Sequence, residues 1–430
     1  MAQKITILCP YCFKSFRREE VQVQCKNYQT VMKVNENGSS VTQDVCPPEE
    51  DEAFNSYWGT RTRVKHIFDA NLTSRELGGL FRKPQLIQEK ECPLCGVSSS
   101  NFVCPHCHNR LPVEMIEKGC EIISVVGGPA SGKSNYIVAL IHELKKYGSR
   151  LGLSVTLQQV GRTDKEKTSN KYREFSKIVF EDHMALPKTP EVKHPIPWIM
   201  RLESNTTQKA VYLVFYDTAG EAFNDPDKIA RDAQYLEHSK AVIVAFDTLG
   251  IPKIKRILEK KGIDVGYQIS RYEYMWETIK NINHDNAALN MTSRPYAFVF
   301  TKFDAVIDNY EDLSFQLNDF VDDNGKFVNS SFVKDGVVDL SELKHCSMAI
   351  KDALRGPWNE EVEEDLANGT ETMWKDNGMF FGVSALGGMK DSLSIRTEGG
   401  EDHQVVKPVK VLDPLIWILV KLGGFGINAH

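Results

Sequence analysis

The sequence has no long hydrophobic run. Its longest strongly apolar stretch near the C-terminus, Leu415 to Val420, is far short of the ~20 residues a membrane helix requires. It also lacks an excess of basic charge. The 52 Lys and Arg residues against 58 Asp and Glu leave a net charge of −6, so no global field draws the chain to nucleic acid or to an anionic membrane. The first residues, MAQKITILCPYC, contain neither an apolar signal core nor a cleavage site. The expectation is a soluble, cytoplasmic chain without a transmembrane segment. Cysteine is scarce beyond residue 110, where only Cys120 and Cys346 occur. A secreted disulfide scaffold would be shorter and would carry a signal, so clustered CxxC pairs point to metal instead. With 41% hydrophobic and 26% charged residues, the composition fits neither a disordered chain nor a coiled coil. A length of 430 residues makes two or three domains the expectation at ~150 residues each.

Eight of the ten cysteines lie before residue 110. Cys92-Pro-Leu-Cys95 and Cys104-Pro-His-Cys107 form C-x2-C-x8-C-x2-C, in which each turn aims two thiolates at one ion and four complete a tetrahedral zinc site. Cys9-Pro-Tyr-Cys12 is a third such turn, and Cys25 and Cys46 are its nearest partners. The favoured grouping is thus Cys9/Cys12/Cys25/Cys46 and Cys92/Cys95/Cys104/Cys107, with about two Zn²⁺ per chain by the four-thiolate rule. The rival pairs Cys9/Cys12 with a downstream turn across the intervening segment. His106 and His108 read as surface residues, and Cys120 and Cys346 as small buried hydrophobes.

The cysteine-rich segment, 1–118, is close to neutral, with 15 Lys and Arg against 14 Asp and Glu. Within it the polar stretch Asn35–Asp51 reads as a loop. From 119 to 430, short apolar runs alternate with longer amphipathic ones. Strands are expected at Glu121–Gly127, Ile196–Glu203, Ala210–Asp217, Ala241–Asp247, Tyr296–Thr301 and Met379–Val383. Helices are expected at Ser134–Tyr147, Asn170–His183, Asp227–His238, Ile269–Ile282, Ser341–Leu354 and Pro414–Leu422. That alternation predicts a three-layer α/β domain. The polar turn SNTTQK between the second and third runs implies an antiparallel pair there, so the six-stranded sheet is mixed but mostly parallel. Residues 148–186 and 305–378 read as insertions, and the acidic run Asn359–Leu366 in the second as a solvated helix face.

Four short motifs carry the chemistry. Gly127-Gly128-Pro129-Ala130-Ser131-Gly132-Lys133-Ser134 follows an apolar strand and opens a helix, the context of a phosphate-binding loop. Its glycines allow backbone N–H groups to turn towards phosphate oxygens, and the helix N-terminus adds a favourable dipole. Lys133 reaches the β- and γ-phosphates, and the Ser134 hydroxyl can ligate Mg²⁺. Asp217-Thr-Ala-Gly220 ends the third run, delivering a carboxylate for Mg²⁺ and a glycine N–H for the γ-phosphate. Thr301-Lys302-Phe303-Asp304 ends the fifth. There a carboxylate can accept from the N1–H and N2–H₂ edge of guanine, a donor pair that adenine lacks, and the Lys302 stem can cover one face of the base. Ser384-Ala385-Leu386 follows the sixth run, with a backbone N–H for guanine O6.

At these residues the chain resembles the Ras-like GTPases over roughly 120–425. The resemblance implies GTP/GDP and Mg²⁺ as ligands, held by Gly127–Asn135, Asp217, Gly220, Thr301, Lys302, Asp304 and Ser384–Leu386. It also implies a switch threonine on Mg²⁺. Thr189 in LPKTP occupies the corresponding place, with Thr163 and Thr168 as rivals. Glu221 stands where the family places a water-orienting glutamine, and its charge beside the γ-phosphate is unfavourable. Lys133, Thr189, Gly220 and Glu221 are the residues expected to carry turnover. No cis arginine finger is assignable among Arg162, Arg201 and Arg231. Zinc ribbons ahead of such a domain are similar in arrangement to a bacterial group of translation-factor-class (TRAFAC) GTPases associated with multi-component conflict or defence systems. The implied function is a slowly hydrolysing GTP switch whose ribbons dock a protein effector or activating partner, or mediate self-association. A ribbon-based nucleic-acid-binding protein is less favoured, its basis a local patch of Arg61, Arg63 and Lys65. A pseudo-GTPase scaffold is the third reading.

Overall fold

The computed structural model describes residues 5–27, 29–34, 40–77, 86–119, 121–128, 131–159, 167–187, 196–215, 236–263, 265, 275–277, 279–281, 291–360, 362–387 and 406–430. The chain divides into two compact units, Met1–Glu121 with Gln158–Thr168, and Ile122–Leu157 with Ser169–His430.

The first unit is built from short β-pairs around cysteine turns. Gln22–Gln24 lies between Ile67–Asp69 and Phe102–Val103, antiparallel to both. The polar stretch read as a loop contains a strand, Ser40–Val45, paired antiparallel with Gln29–Val34. The helix Glu52–Trp58 is capped by Asp51, whose side chain accepts from the Phe54 N–H at 2.9 Å. A buried ion pair joins two further segments. The Glu76 carboxylate meets the Lys90 ammonium at 2.7 Å and accepts from the N–H groups of Thr73 and Gln88 at 2.8 and 2.9 Å. Burial alone would raise the pKa of Glu76. Lys90 and the two N–H donors more than offset it and hold the pKa down to about 2. Glu76→Gln should therefore destabilise the chain at pH 7 by about 3 kcal/mol, since it strands the Lys90 charge. Urea unfolding of the full chain measures this.

The second unit is a seven-stranded sheet. Its strands are β1 (Ile122–Gly127), β2 (Leu153–Leu157), β3 (Trp198–Ser204), β4 (Ala210–Phe215), β5 (Ala241–Asp247), β6 (Tyr296–Thr301) and β7 (Gly378–Gly382), in the order β2-β3-β4-β1-β5-β6-β7. β1 runs parallel to β4 and β5, β6 to β5 and β7, while β3 is antiparallel to both β4 and β2. The sheet is thus mostly parallel with an antiparallel edge, and the SNTTQK turn joins β3 to β4 as expected. The count is seven rather than six, because β2 occupies part of the segment read as an insertion. LSVTL alternates buried and exposed positions, the pattern of an edge strand with one dry face. β1, β5 and β6 are buried at every position. Central parallel strands covered on both faces have no wet side, so they read as continuous apolar runs.

Among the described residues, the helices packed on the sheet include α1 (Lys133–Tyr147), α2 (Thr168–Phe180), the helix Leu340–Arg355, which lies against β7, and α3 (Asp413–Leu422). On one face, Ile123, Val125, Ile243, Ala297 and Val299 share a core with Ile137, Leu140 and Leu144 of α1 and with Leu415 and Leu419 of α3. On the other face, Phe298 contacts the rings of Trp276, Tyr296, Trp374 and Phe380. Alternation along β6 sends Tyr296 and Phe298 to that aromatic side and Ala297 and Val299 to the first. The helices expected over 227–238 and 269–282 fall largely outside the described residues. The acidic run is not simply a solvated face: Glu363 is fully buried, and Asp365 accepts from the Trp276 indole and the Lys280 ammonium, each at 2.7 Å. Cys346 is buried, as expected, while Cys120 lies outside the described residues. Among the described residues, no helix is long and apolar enough to cross a membrane.

Candidate metal centres and nucleotide site

Three cysteine turns share one local design. Cys9, Cys92 and Cys104 each accept at their carbonyl from the N–H four residues on, of Phe13, Gly96 and His108. Those three residues all adopt left-handed backbone, with φ of 56°, 69° and 51°. The turn brings both thiols of a C-P-x-C pair to one side, and the N–H groups of Tyr11 and His106 donate to the sulfurs of Cys9 and Cys104 at 3.4 Å each.

The eight cysteines gather into two clusters, Cys9/Cys12/Cys104/Cys107 and Cys25/Cys46/Cys92/Cys95, the four sulfurs of each within 4.8 Å of one another. This overturns the favoured grouping and matches its rival. The cause is the register of the antiparallel pair, which sets Gln22 against Val103 and Val23 against Phe102. Residues before Gln22 therefore meet residues after Val103, bringing Cys9 and Cys12 to Cys104 and Cys107. Cys25, just after the same strand, meets the turn that precedes Phe102. The two sequence-adjacent turns are thus divided between sites.

The clusters fit zinc. A tetrahedral ion at ~2.3 Å from four sulfurs requires them about 3.8 Å apart. The shortest contacts are 3.7 Å for Cys9–Cys107, 3.8 Å for Cys12–Cys104, 3.5 Å for Cys25–Cys95 and 3.6 Å for Cys46–Cys92. His106 is exposed, but His108 is not a plain surface residue, because its Nδ1 lies 2.6 Å from Asp51 Oδ2. Asp51 thus caps a helix with one oxygen and fixes the residue after Cys107 with the other. Near it, a cavity of about 620 Å³ is lined by Glu49, Glu50, Asp51, Glu52, Lys65 and His66. The proposed basic patch faces this acidic edge: Arg63 pairs in register with Glu50, and Lys65 Nζ donates to the Lys26 carbonyl at 2.7 Å.

In the second unit, β1 leads through a tight turn into α1. Gly132 has φ of 69°, and the Ser131 N–H donates to the Gly128 carbonyl at 3.4 Å. A Cβ on Gly127 would lie 2.7 Å from Ser131 Oγ and 3.1 Å from the Ala245 carbonyl, so no larger residue fits the start of the turn. Ser131 Oγ is buried and has no hydrogen-bond partner among the described residues. Lys133 is 6% exposed. A turn of this form, closing on a helix N-terminus with an orphaned hydroxyl, has the donors to hold an anion. Pro129 and Ala130 lie outside the described residues.

The end of β6 is laid against this turn. Thr301 Oγ1 donates to the Ser131 carbonyl at 2.6 Å and lies 3.1 Å from the Phe246 carbonyl. Lys302 has φ of 56°, and its Nζ pairs with Asp247 Oδ2 at 2.9 Å. Asp247, at the end of β5, escapes motif reading because one Asp after an apolar strand is a common strand terminus. Burial holds its carboxyl above the ordinary range, an effect that Lys302 only partly offsets. Asp304 is buried too. Burial raises its pKa to about 6, against the pull of a hydrogen bond with the Ser384 hydroxyl. Ser384 and Ala385 are buried and Leu386 partly so. The structure therefore brings Gly127, Gly128, Ser131–Lys133, Thr301, Lys302, Asp304 and Ser384 to one end of the parallel strands. Asn135, on the first turn of α1, accepts at Oδ1 from the Leu186 N–H at 3.1 Å, three residues before Thr189. Thr189, Thr163, Asp217, Gly220 and Glu221 lie outside the described residues, as do Arg162 and Arg231. Arg201 is on β3, buried, and paired with Glu203 at 2.7 Å.

No family model matches the chain. It is similar to a putative ESX-1 scaffolding and assembly protein, SaeC, of Mycolicibacterium smegmatis, with 28% identity over 160 residues, 36% of this chain. The match spans 40% of that relative's length. A crystal structure from Thermus thermophilus aligns over 62% of this chain and 37% of its own, at 15% identity and a TM-score of 0.25.

Proposed function

We propose that the second unit is a Ras-like P-loop domain that binds GTP and Mg²⁺, and that the chain is a slowly hydrolysing GTP-dependent switch. The observation that carries this is the meeting of two loops. The glycine turn after β1 has the donors for phosphates, and the TKFD segment after β6, tied to it by Thr301, offers a buried carboxylate for a base. The strand order agrees, since β1 is the middle strand of the seven and both loops follow the C-terminal ends of parallel strands, where open α/β sheets take ligands. Gly127–Asn135 would hold phosphates, with Ser134, Thr189 and Asp217 towards Mg²⁺. Thr301, Lys302, Asp304 and Ser384–Leu386 would hold the base. The ribbons, one face acidic, would dock a protein effector or activating partner, or a second copy, rather than nucleic acid. Membership of a bacterial multi-protein system of the conflict or defence kind belongs to the same reading.

Asp304 gives the test. The ionised carboxylate accepts both guanine N–H donors, whereas the protonated form can accept less and must first lose its proton. With its pKa raised to about 6, guanine affinity should be full well above pH 6. It should fall by up to about tenfold per unit as pH drops below that value. Asp304→Asn should flatten this profile and cut GTP affinity by about 10²-fold or more. Equilibrium titration with GTP and ATP between pH 5 and 8 measures both, and ATP competing equally with GTP would overturn the base assignment.

A second reading, a nucleotide-bound scaffold without turnover, is favoured by Glu221 and by the scaffolding role for which the mycobacterial relative is named. A product assay on bound GTP separates it from the switch.

A further inference from the structure

We infer that Lys410 is a positioning residue for base recognition, acting through Ser384 on Asp304; the inference rests on the GTP-binding reading above. Lys410 is 1% exposed and lies in left-handed backbone, with φ of 54°. A lysine gains nothing from that conformation, and burying its ammonium costs several kcal/mol unless partners are supplied. Here they are supplied in full. Nζ donates to Ser330 Oγ at 2.9 Å and lies 3.4 Å from Glu342 Oε1 and 3.7 Å from Asp413 Oδ2. Ser330 Oγ in turn donates to Asp413 Oδ2 at 2.6 Å, and the Lys410 N–H donates to Asn329 Oδ1 at 2.6 Å. Main chain and side chain of one residue are thus both fastened, to Asn329–Ser330, to Glu342, and to Asp413 three residues on.

What this fastening holds is the residue before it. Val409 exchanges two backbone hydrogen bonds with Ser384, its N–H to the Ser384 carbonyl at 2.8 Å and its carbonyl to the Ser384 N–H at 3.0 Å. Ser384 Oγ accepts from the Gly387 N–H at 3.0 Å, and Val383, just before Ser384, accepts at its carbonyl from the N–H of Phe303, just before Asp304, at 3.0 Å. Through Val409, the Val383–Ser384 segment and Phe303, the backbone therefore links a buried ammonium to the segment that carries the Asp304 carboxylate. Motif reading stops at Ser384–Leu386 and misses it, because Lys410 is more than twenty residues further on and carries no recognisable pattern.

The test compares GTP with ITP, whose base lacks the 2-amino group, so the affinity ratio reports one hydrogen bond to Asp304. Lys410→Met keeps the bulk and removes the ammonium. It should lower the GTP:ITP ratio about tenfold, the worth of one hydrogen bond to a charged group, while phosphate contacts common to both nucleotides persist. Ser330→Ala should lower it about threefold by the same argument. Lys410→Met with Asp413→Asn removes both charges and should recover melting temperature without recovering the ratio. Melting of the nucleotide-free chain, run alongside, reports the purely structural cost. These milder variants decide the matter where Lys410→Met does not fold. An unchanged ratio in a folded variant, or equal weakening of both nucleotides, would overturn the positioning role alone. A wild-type chain that does not prefer GTP to ATP would overturn the base reading and this inference with it.

Discussion

Cys104→Ser should release one zinc ion per chain, and adding Cys9→Ser to it should release no second. Combining Cys104→Ser with Cys92→Ser should release both. These outcomes follow from the crossed pairing of the clusters. The pairing by sequence proximity expects the opposite, because it places Cys92 and Cys104 on one ion and Cys9 on the other. The effect on folding should be large. Apparent binding free energies for structural zinc reach about 10–16 kcal/mol at neutral pH, as much as the whole stability of a typical domain. Around the second cluster the local core consists of Cys25, Cys46 and Cys92, with Phe68 and Cys95 packed against it. Thiols without an ion replace little of that. Elemental analysis of the purified single and double variants, with far-ultraviolet dichroism, measures both effects. Zinc contents that group Cys92 with Cys104 would refute the observed register. No zinc in the freshly purified wild type would refute the metal assignment for both clusters.

The zinc ligands show where sequence reasoning succeeds and where it stops. That the six cysteines of the three C-P-x-C turns are built for metal is legible, since two thiols on one tight turn suit a metal better than anything else, and Cys25 and Cys46 follow as the thiols needed to complete two sets of four. Which turn meets which is not legible. It depends on Gln22–Gln24 lying antiparallel to Phe102–Val103, a pairing of two short strands about eighty residues apart with no strong alternation to announce it. The sheet of the second unit is the easier case. β1, β4, β5 and β6 are continuous apolar runs because they are dry on both faces. β2 is harder to see, because its exposed positions, Ser154 and Thr156, are polar and an edge strand requires no more. Asp247 and Lys410 are missed for another reason: each is a common residue made special only by what the fold puts beside it, Lys302 in one case and Ser330 with Asp413 in the other.

GTP turnover by the isolated chain should be slow, on the order of 10⁻⁴ to 10⁻² s⁻¹, and should rise with a partner or with self-association. The reasoning separates binding from chemistry. Binding asks for a phosphate cradle, which on the P-loop reading the Gly127–Lys133 segment would supply. Lys133→Ala should therefore weaken nucleotide by roughly 10²-fold, the cost of removing one buried charged partner. Hydrolysis also needs a held water and positive charge on the equatorial oxygens, and an arginine finger alone contributes about 10³–10⁵ in rate. Among the described residues, no arginine or water-orienting group is placed at the site for either purpose. On the Ras-like reading, Glu221 would bring a negative charge where a neutral water-orienting group is wanted, which would cost transition-state stabilisation at short range. Arg201, one of three candidate fingers, is committed to Glu203 on β3 and buried, so it is not free to reach a phosphate. A finger supplied in trans is then the simplest source. Glu221→Ala should leave GTP affinity unchanged and alter only the rate, whereas Arg201→Lys should leave the rate per bound nucleotide unchanged. Single-turnover assays over a wide range of protein concentration test this. A rate that climbs with concentration supports a finger from a second copy, and a flat, slow rate supports a finger from a different protein. Fast hydrolysis by the dilute chain, indifferent to Glu221→Ala, would place the chemistry in other residues.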